Sequence, residues 1–562
     1  MKLNISRVFL PLVYSYLSSR PKLRVSLESK LIRAGIFTSP EDYIARIFAA
    51  LTTTVVAIVV LLVVTYFFIP FIFPYVVLLA SPIIAAVVLL YWYWPNIKAR
   101  SIAEAITEET PYFAVFLSIV SRTNTPLPLA LRYIKDQGLV QAISSFIDLI
   151  LSRLLFFGKS IFEAIHEVAD IVPSREYSDL MRGYVTSMMT GSDVASYVDS
   201  ALRHMIEVKL TNIKALVDTI VSALTGLLTG ISLIFMFIVV QQVAQFMSGE
   251  IGAVGAEISP IMFLLMAVLP IPLLFLLGRA FIAKPRRYPI LEASLTIAVV
   301  AALAVIHQVW LIQIPLFPYV ATLLPLLVFS TLYYRNYARR KSLEKGFTEF
   351  LRDLTNMRRS GFPVEKCFVS LSARNYGAFT SDLRRIADQI QAGVPIREII
   401  ADLSKRTPST FVHRLSHLLL ATIELGGASV ESLDTLSNFA IRMREVEDEI
   451  RAKSREPVVI AFITVAVMAF LLSFMPAISQ LMMKTATMGA TPGMETTATA
   501  PAASPEYLDW VMVASSVLLF ILAGAMYFGD IAASSIIASA GVITLMMLKL
   551  LLPYVLEFFM GM

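Results

Sequence analysis

Two histidines, His413 and His417, have the spacing of a zinc-binding pair. Residues four apart lie on one face of a helix, so both imidazoles could bind the same zinc ion. The zinc-protease motif with this spacing also has a glutamate directly after the first histidine, and Arg414 occupies that position here. A third ligand is not evident either. The sequence therefore predicts no metal site.

The tripeptide Gly158-Lys159-Ser160 resembles the end of a phosphate-binding P-loop. That motif also needs a glycine five positions before its second glycine and a strand before the loop. Arg153 stands where the first glycine should be, and no strand pattern precedes it. The spaced glycines within 249–255 also lack a strand–helix context, so we interpret them as turns. Since no nucleophile–base arrangement is present either, we predict that the chain is not an enzyme and has no cofactor.

Composition excludes a chain of several soluble domains. Of its 562 residues, 57% are hydrophobic and only 16% are charged, and the mean hydropathy is +0.73. These values are typical of a polytopic membrane protein. The only cysteine is Cys367, which rules out a disulfide framework or a cysteine-based zinc site within one chain.

Long apolar runs predict about nine membrane-spanning helices, each able to cover about 30 Å of hydrocarbon. The third run is longer than a bilayer needs, so we expect it to protrude as a continuous helix. The predicted spans are residues 47–69, 72–94, 216–246, 259–282, 289–308, 314–334, 457–480, 510–528 and 531–555.

The distribution of lysine and arginine predicts how these spans are oriented. The N-terminal segment 1–46 and the turn at 284–287 are basic, whereas the loop at 247–258 contains only acidic charges. Since cytoplasmic loops of membrane proteins are enriched in lysine and arginine, we place the basic segments inside the cell. The prediction is a multi-pass protein of the cell (plasma) membrane, in which the large segments between spans are cytoplasmic.

The spans also predict the domain organisation. The fold class is all-α, with two repeated cytoplasmic helical bundles. The predicted parts are a basic cytoplasmic segment 1–46, a transmembrane hairpin 47–96, a first cytoplasmic module 97–215, four transmembrane helices 216–334, a second cytoplasmic module 335–456, and three transmembrane helices 457–562 with an external loop 481–507.

The two modules share their turn residues. Each has a proline that opens a short helix and two later glycine turns, and the offsets between the copies are 237, 235 and 236 residues. So constant an offset indicates two copies of one module, which we expect to superpose turn on turn. Apolar spacings of three and four residues predict about six helices in each. The turn positions are Pro126, Gly158 and Gly191 in the first module and Pro363, Gly393 and Gly427 in the second.

The modules differ in charge, with a net charge of −1 in 97–215 and +5 in 335–456. The basic clusters at 339–341 and 453–455 lie beside predicted spans, and we interpret them as sites of attraction to anionic lipid headgroups. Arg358 and Arg359 lie farther along, before a turn. They could meet an acidic protein surface or be solvated.

The second module resembles the cytoplasmic domain of the secretion-F family, the inner-membrane platform proteins of type II secretion systems, type IV pili and archaella. Residues 354–363 are similar to the opening helix and turn of that family, and 390–396 to its second glycine turn. Residues 424–433 resemble its glycine-rich third region, although the order is Glu-Leu-Gly-Gly. Two modules, extra spans and a basic N-terminal segment look most like the archaeal versions.

The resemblance implies a mechanical function without an active site. A hexameric secretion ATPase would bind from the cytoplasm, and pilin-like or archaellin-like subunits would be lifted from the bilayer into a filament. Membrane lipids are further expected partners, a homodimer is left open, and no nucleic acid is expected. The second module, as the more basic copy, would face the motor. The candidates for ATPase contact are Arg358, Arg359, Glu424, Arg442 and Arg444.

Two other classes of function stay open at this stage. A transporter or channel with two cytoplasmic regulatory bundles is one alternative. It would need ionisable residues near the middle of the bilayer, and the predicted spans contain almost none. A passive scaffold for signalling proteins is the other. The sequence does not distinguish an archaellum from an adhesive pilus or a secretion pseudopilus.

Overall fold

A computed structural model describes residues 11, 13–14, 21–33, 35–36, 38–49, 52–54, 73–123, 125–248, 317–470 and 506–560. All regular secondary structure in these residues is helical, which confirms the predicted all-α class. The predicted spans at 259–282 and 289–308 and residues 481–505 of the predicted loop lie outside them.

The first half of the chain contains seven helices with both ends in the described residues, and residues 40–49 and 52–54 are also helical. Six of the seven contribute to the region 97–215, as the turn pattern predicts. The last of the six is an unbroken helix of 55 residues, roughly 80 Å long at 1.5 Å per residue, so the third predicted span is part of a longer continuous helix. The helices are α1 Pro21–Arg33, α2 Phe73–Ser121, α3 Leu127–Asp136, α4 Gln141–Phe156, α5 Ile161–Ile171, α6 Arg175–Thr190 and α7 Val194–Ser248.

The second half repeats this order of helices, with an extra 3-10 turn at Gly377–Phe379. Its first helix contains Pro325 among its buried residues. Residues 455–470 are also helical. The helices are α8 Phe317–Arg359, α9 Val364–Leu371, α10 Thr380–Gln391, α11 Ile396–Arg406, α12 Thr410–Gly426, α13 Val430–Lys453, α14 Glu506–Phe528 and α15 Ile531–Met560.

Turns form at each position that the sequence marks. The two prolines directly precede the short helices α3 and α9. The four glycines adopt a left-handed conformation, which only glycine reaches without strain. The superposition of the two modules stays a prediction. The φ angles are +61° at Gly158, +69° at Gly191, +79° at Gly393 and +55° at Gly427.

The chain divides into two compact units, the first made of residues 1–205 with 416–436 and the second of 206–415 with 437–562. These limits differ from the predicted modules, because the turn between α12 and α13 packs within the first unit. There Gly426 faces the side chain of Thr123 on the loop after α2.

The first unit is built around the C-terminal half of α2. Phe113 is fully buried, and its ring centroid lies 5.7 Å from that of Tyr177 on α6. Burial raises the pKa of Tyr177 well above its ordinary value. Glu109, also buried, accepts hydrogen bonds from the backbone N–H groups of Gln141, Ala142 and Ile143 at 2.9–3.2 Å. This carboxylate thereby satisfies the otherwise unpaired N-terminus of α4.

One core of the second unit follows a face of the C-terminal half of α8. Phe347, Phe350, Leu351 and Leu354 have the three- and four-residue spacing that predicts such a face, and all four are buried. Gly346 on the same helix packs directly against the backbone of Tyr376. A Cβ added at Gly346 would lie 1.9 Å from the carbonyl oxygen of Tyr376.

Two helices among the described residues are long and apolar enough to cross a membrane, α8 and Ile531–Leu552 of α15, and Met512–Phe528 is a shorter apolar helix. Lys549 lies near the predicted outer end of the last span, where the enrichment of lysine and arginine on the cytoplasmic side would not place it. The structure gives it a partner. Lys549 forms an ion pair with Asp509 at 2.7 Å. The predicted number of about nine spans stays a prediction.

Candidate functional site

Arg358 and Arg359, the first candidates for a protein contact, form the last turn of α8. Arg358 Nη1 donates a hydrogen bond to the carbonyl oxygen of Phe362 at 2.8 Å, so it stabilises the turn at Gly361. A basic side chain is favourable there because the carbonyl end of a helix carries partial negative charge. Arg359 is exposed.

The other three candidates lie on α12 and α13. Glu424 is exposed in the first compact unit, where its carboxylate accepts a hydrogen bond from the hydroxyl of Tyr133 on α3 at 2.6 Å. Arg442 is exposed in the second unit and pairs with Glu445 one turn along, at 3.0 Å. Arg444 is partly buried. The five predicted residues are therefore distributed over three helices and do not form one recognisable cluster within either unit.

A larger charged cluster, which the sequence did not predict as a site, occupies the second unit. It lies where α8 leaves the predicted span 314–334, beside the turn between α14 and α15 and the end of α13. We call it the charge belt. Its members are Tyr333, Tyr337, Arg340, Lys341, Glu344, Glu447, Arg451 and Asp530.

Asp530 is the centre of one half of the belt. It follows Gly529 in the turn between α14 and α15, and its Oδ1 accepts from the backbone N–H of Ala532, as a helix N-cap does. Its Oδ2 accepts from the hydroxyl of Tyr333 and from Arg340 Nη2, each at 2.6 Å. The side chains of Arg340 and Asp530 are only 18% and 10% exposed. This buried pair joins α8 to the turn between the last two helices.

Arg451 connects α13 to α8 and α14. Its Nη2 donates to the hydroxyl of Tyr337 at 2.7 Å, and its guanidinium lies 5.7 Å from the ring centroid of Tyr527 on α14. The ring of Tyr337 in turn packs edge-on against Phe528, with 5.3 Å between centroids. Cation–π and aromatic contacts of this kind favour fixed relative positions of the helices that carry them.

Lys341 is the centre of the other half. Its ammonium group lies 2.9 Å from a carboxylate oxygen of Glu344 on α8 and 2.9 Å from one of Glu447 on α13. The second carboxylate oxygen of Glu344, a buried residue, accepts from the hydroxyl of Ser409 at 2.7 Å, just before α12. Four helices, α8, α12, α13 and α15, therefore meet through side-chain contacts of the belt.

Electrostatics keep the belt charged. Burial alone would lower the pKa values of Lys341 and Arg340, but neighbouring carboxylates outweigh it. Glu344 and Glu447 raise the pKa of Lys341 above its ordinary value, and Asp530 does the same for Arg340. These cations are stably ionised and paired. The arrangement suits structural coupling rather than proton transfer.

The belt changes the interpretation of the basic clusters at 339–341 and 453–455. Arg340 and Lys341 form ion pairs with carboxylates of the same chain, and so does Lys453, with Asp218 at 2.7 Å. The sequence predicted attraction to lipid headgroups at these clusters. Among the described residues, these three cations instead form ion pairs within the chain. The sequence did contain one indication of the charge belt. Asp530 is a lone acidic residue at the predicted inner end of a span, where it needs a cation nearby.

Comparison with known protein families gave a match for the region that begins within α8 and ends in the segment after α13. Residues 350–476 match the family model described as Type II secretion system (T2SS), protein F. We call this segment the F domain. It supports the resemblance at the level of the family, whose members are membrane platform proteins of type II secretion or type IV pilus systems rather than enzymes. No curated protein and no solved structure gave a match.

The F domain and the charge belt share their helices. The domain begins within α8, ten residues beyond Arg340, and it contains all of α13, including Glu447 and Arg451. The belt therefore joins residues of the F domain to α8 and to the start of α15, the two helices that are apolar enough to cross a membrane.

Proposed function

We propose that the chain is the membrane platform protein of a type IV filament or type II secretion-like machine, in the form of an archaeal pilus or archaellum. It couples a cytoplasmic hexameric secretion ATPase to the assembly of pilin-like subunits. The observation that supports this most directly is the F domain at 350–476, formed on helices that continue towards the membrane.

Coupling in this proposal is mechanical. A displacement at the Arg359 end of α8 reaches the predicted span because the helix is unbroken from Phe317 to Arg359. The charge belt passes the same displacement to α13 and to the turn before α15, since each of them holds a charged partner of α8. The last two helices then move with the F domain instead of independently of it.

The second module is proposed to face the motor, and reversing its arginine pair tests this. Arg358→Glu with Arg359→Glu should weaken binding of the purified ATPase by about three- to tenfold at low salt and by less at moderate salt, because charge complementarity is screened. Filaments should be lost while the protein stays in the membrane. A pull-down at two salt concentrations, with filament counts in cells, measures both.

The matched control is Arg384→Glu with Arg385→Glu, a second exposed arginine pair of the F domain, on α10, in which Arg385 forms only a long ion pair of 3.9 Å with Asp402. It changes the net charge by the same amount, so an equal loss from both variants would indicate a non-specific charge effect. Arg122 would be a poor control in the first module, because it is paired with Asp199 at 2.5 Å. The exposed Arg132 serves instead, and an equal loss from Arg132→Glu would contradict the assignment to the second module.

Orientation in the membrane is a separate prediction. In a Cys367→Ser background, Ala500→Cys in the predicted external loop should react with an impermeant maleimide in intact cells. Ala373→Cys should react only after lysis. Ala373 is exposed in the structure, so burial would not explain its protection. Labelling of Ala373→Cys in intact cells would place the F domain outside and overturn the proposed coupling to a cytoplasmic motor.

A further inference from the structure

Two ion pairs join α7 to α13 within the second compact unit. Lys214 on α7 pairs with Glu449 on α13. One turn further along, Asp218 pairs with Lys453, with 2.7 Å between Asp218 Oδ1 and Lys453 Nζ. Lys214, Glu449 and Lys453 lie just before the predicted spans 216–246 and 457–480, and Asp218 lies in the first turn of the span 216–246.

In both pairs, the α7 residue contacts the residue 235 positions further along the chain. The repeat offset is 235 between Gly158 and Gly393 and 236 between Gly191 and Gly427, the turns directly before α7 and α13. Each residue therefore pairs within one position of its counterpart in the repeat. The repeat offset depends on turn residues, whereas the ion pairs depend on how the helices pack, so the agreement between them is informative.

Contacts between counterparts at two successive turns define the geometry of the helix pair. If the helices were antiparallel, one turn forwards along α7 would correspond to one turn backwards along α13. Only one residue could then meet its counterpart. Parallel helices without stagger bring every counterpart pair together along the contact line. That arrangement has an approximate two-fold axis running along the helices, as in a parallel homodimer.

The charges along this contact line are reversed between the two helices. α7 has the order lysine then aspartate, and α13 has glutamate then lysine. If two copies of α7 paired in this way, lysine would face lysine and aspartate would face aspartate. Two copies of α13 would repel in the same manner. The pattern favours α7 with α13 and disfavours both like-with-like pairs.

We infer that α7 and α13 form an internal pseudo-two-fold pair, in which each helix takes the place that a second copy of itself would occupy in a homodimer. The partner of this surface is therefore the other module of the same chain, and homodimerisation through it is disfavoured. The four side chains are 31–59% exposed. Pairs this exposed add little stability, so their role is to set register and partner choice. The inference does not depend on the proposed platform function.

Cross-linking in the full-length chain tests the register. In a Cys367→Ser background with a protease site inserted at 249–255, Asp218→Cys with Lys453→Cys should be joined by a short bismaleimide, so that the two fragments stay together after cleavage. The control pair is Asp218→Cys with Glu445→Cys. It lies on the same faces and would be joined only in an antiparallel arrangement. Linkage of the control pair in preference to 218 with 453 would overturn the inference.

A charge exchange tests partner choice. With Lys214→Cys and Glu449→Cys as the reporter pair, Asp218→Lys should lower the within-chain cross-link by about two- to fivefold. Adding Lys453→Asp should restore it, because the ion pair is rebuilt with its charges exchanged. Failure to restore the yield would show that the pair does not select the partner.

The single variant Lys214→Cys tests the homodimer directly. We expect it to give no between-chain product above that of Ala373→Cys, an exposed position away from the helix pair. A between-chain product as abundant as the within-chain link of the reporter pair would show that the surface serves a second copy of the chain, and the inference would be wrong.

Discussion

Asp530→Ala is expected to be the most destabilising single substitution at the charge belt. It removes the acceptor of Arg340 and Tyr333 and the N-cap of α15 together. Since the Arg340 side chain is only 18% exposed, its charge would lose the carboxylate that pairs with it in a site that excludes most water. Breaking a buried ion pair in this way costs about 3–5 kcal/mol. The measurement is the unfolding midpoint of the purified chain in detergent.

A double substitution separates the ion pair from general damage to the turn. Arg340→Met removes the buried charge, so Arg340→Met with Asp530→Ala should be clearly more stable than the sum of the two single effects predicts. Asp530→Asn, which keeps the size of the side chain but not its charge, should lie between the wild type and Asp530→Ala. Additive effects in the double variant would show that Arg340 and Asp530 are not coupled.

Gly346→Ala is expected to have the second-largest effect, through sterics alone. The added methyl carbon would lie 1.9 Å from the backbone oxygen of Tyr376, and backbone cannot move aside as the end of a side chain can. The 3-10 turn at Gly377–Phe379 would have to separate from α8, which removes Phe379 from its contacts with Phe347 and Phe350. Overpacking of this kind costs typically about 1–3 kcal/mol or more.

The control for this prediction is Gly226→Ala, also in a helix interior. Nothing lies within 4 Å of a Cβ added at Gly226, so alanine should be tolerated there. Its higher helix propensity should even add up to about 1 kcal/mol. Thermal unfolding of both variants, with helix content from circular dichroism, measures the difference. Equal stability of the two variants would mean that α8 and the turn do not approach as closely as described.

The parts of the fold that were predictable depend on local chemistry. Turns formed at Pro126, Gly158 and their counterparts because proline and glycine determine backbone angles without reference to distant residues. The buried face of α8 followed from the spacing of Phe347 and its neighbours, since helical periodicity alone places them on one side.

The charge belt could not be predicted in the same way, because its partners are distant in sequence. Arg340 and Asp530 are 190 residues apart, and a basic residue beside a predicted span looks the same whether it meets a lipid phosphate or a carboxylate. Burial decides between the two, and only tertiary packing determines burial. The pairs between α7 and α13 are different. The repeat offset of 235–237 residues was visible in the sequence, and a search for opposite charges at these separations would have found both pairs.

Pro325 gives α8 a mechanical property that α7, an unbroken helix of 55 residues without proline, lacks. Proline has no backbone N–H, so the hydrogen bond that this position would donate to the carbonyl of Ala321 is missing. Bending stiffness is therefore lowest near Pro325, eight residues into a helix of 43. A sideways displacement of the Arg359 end would therefore bend α8 near Pro325, inside the predicted span 314–334, and the Phe317 end would move less than the Arg359 end.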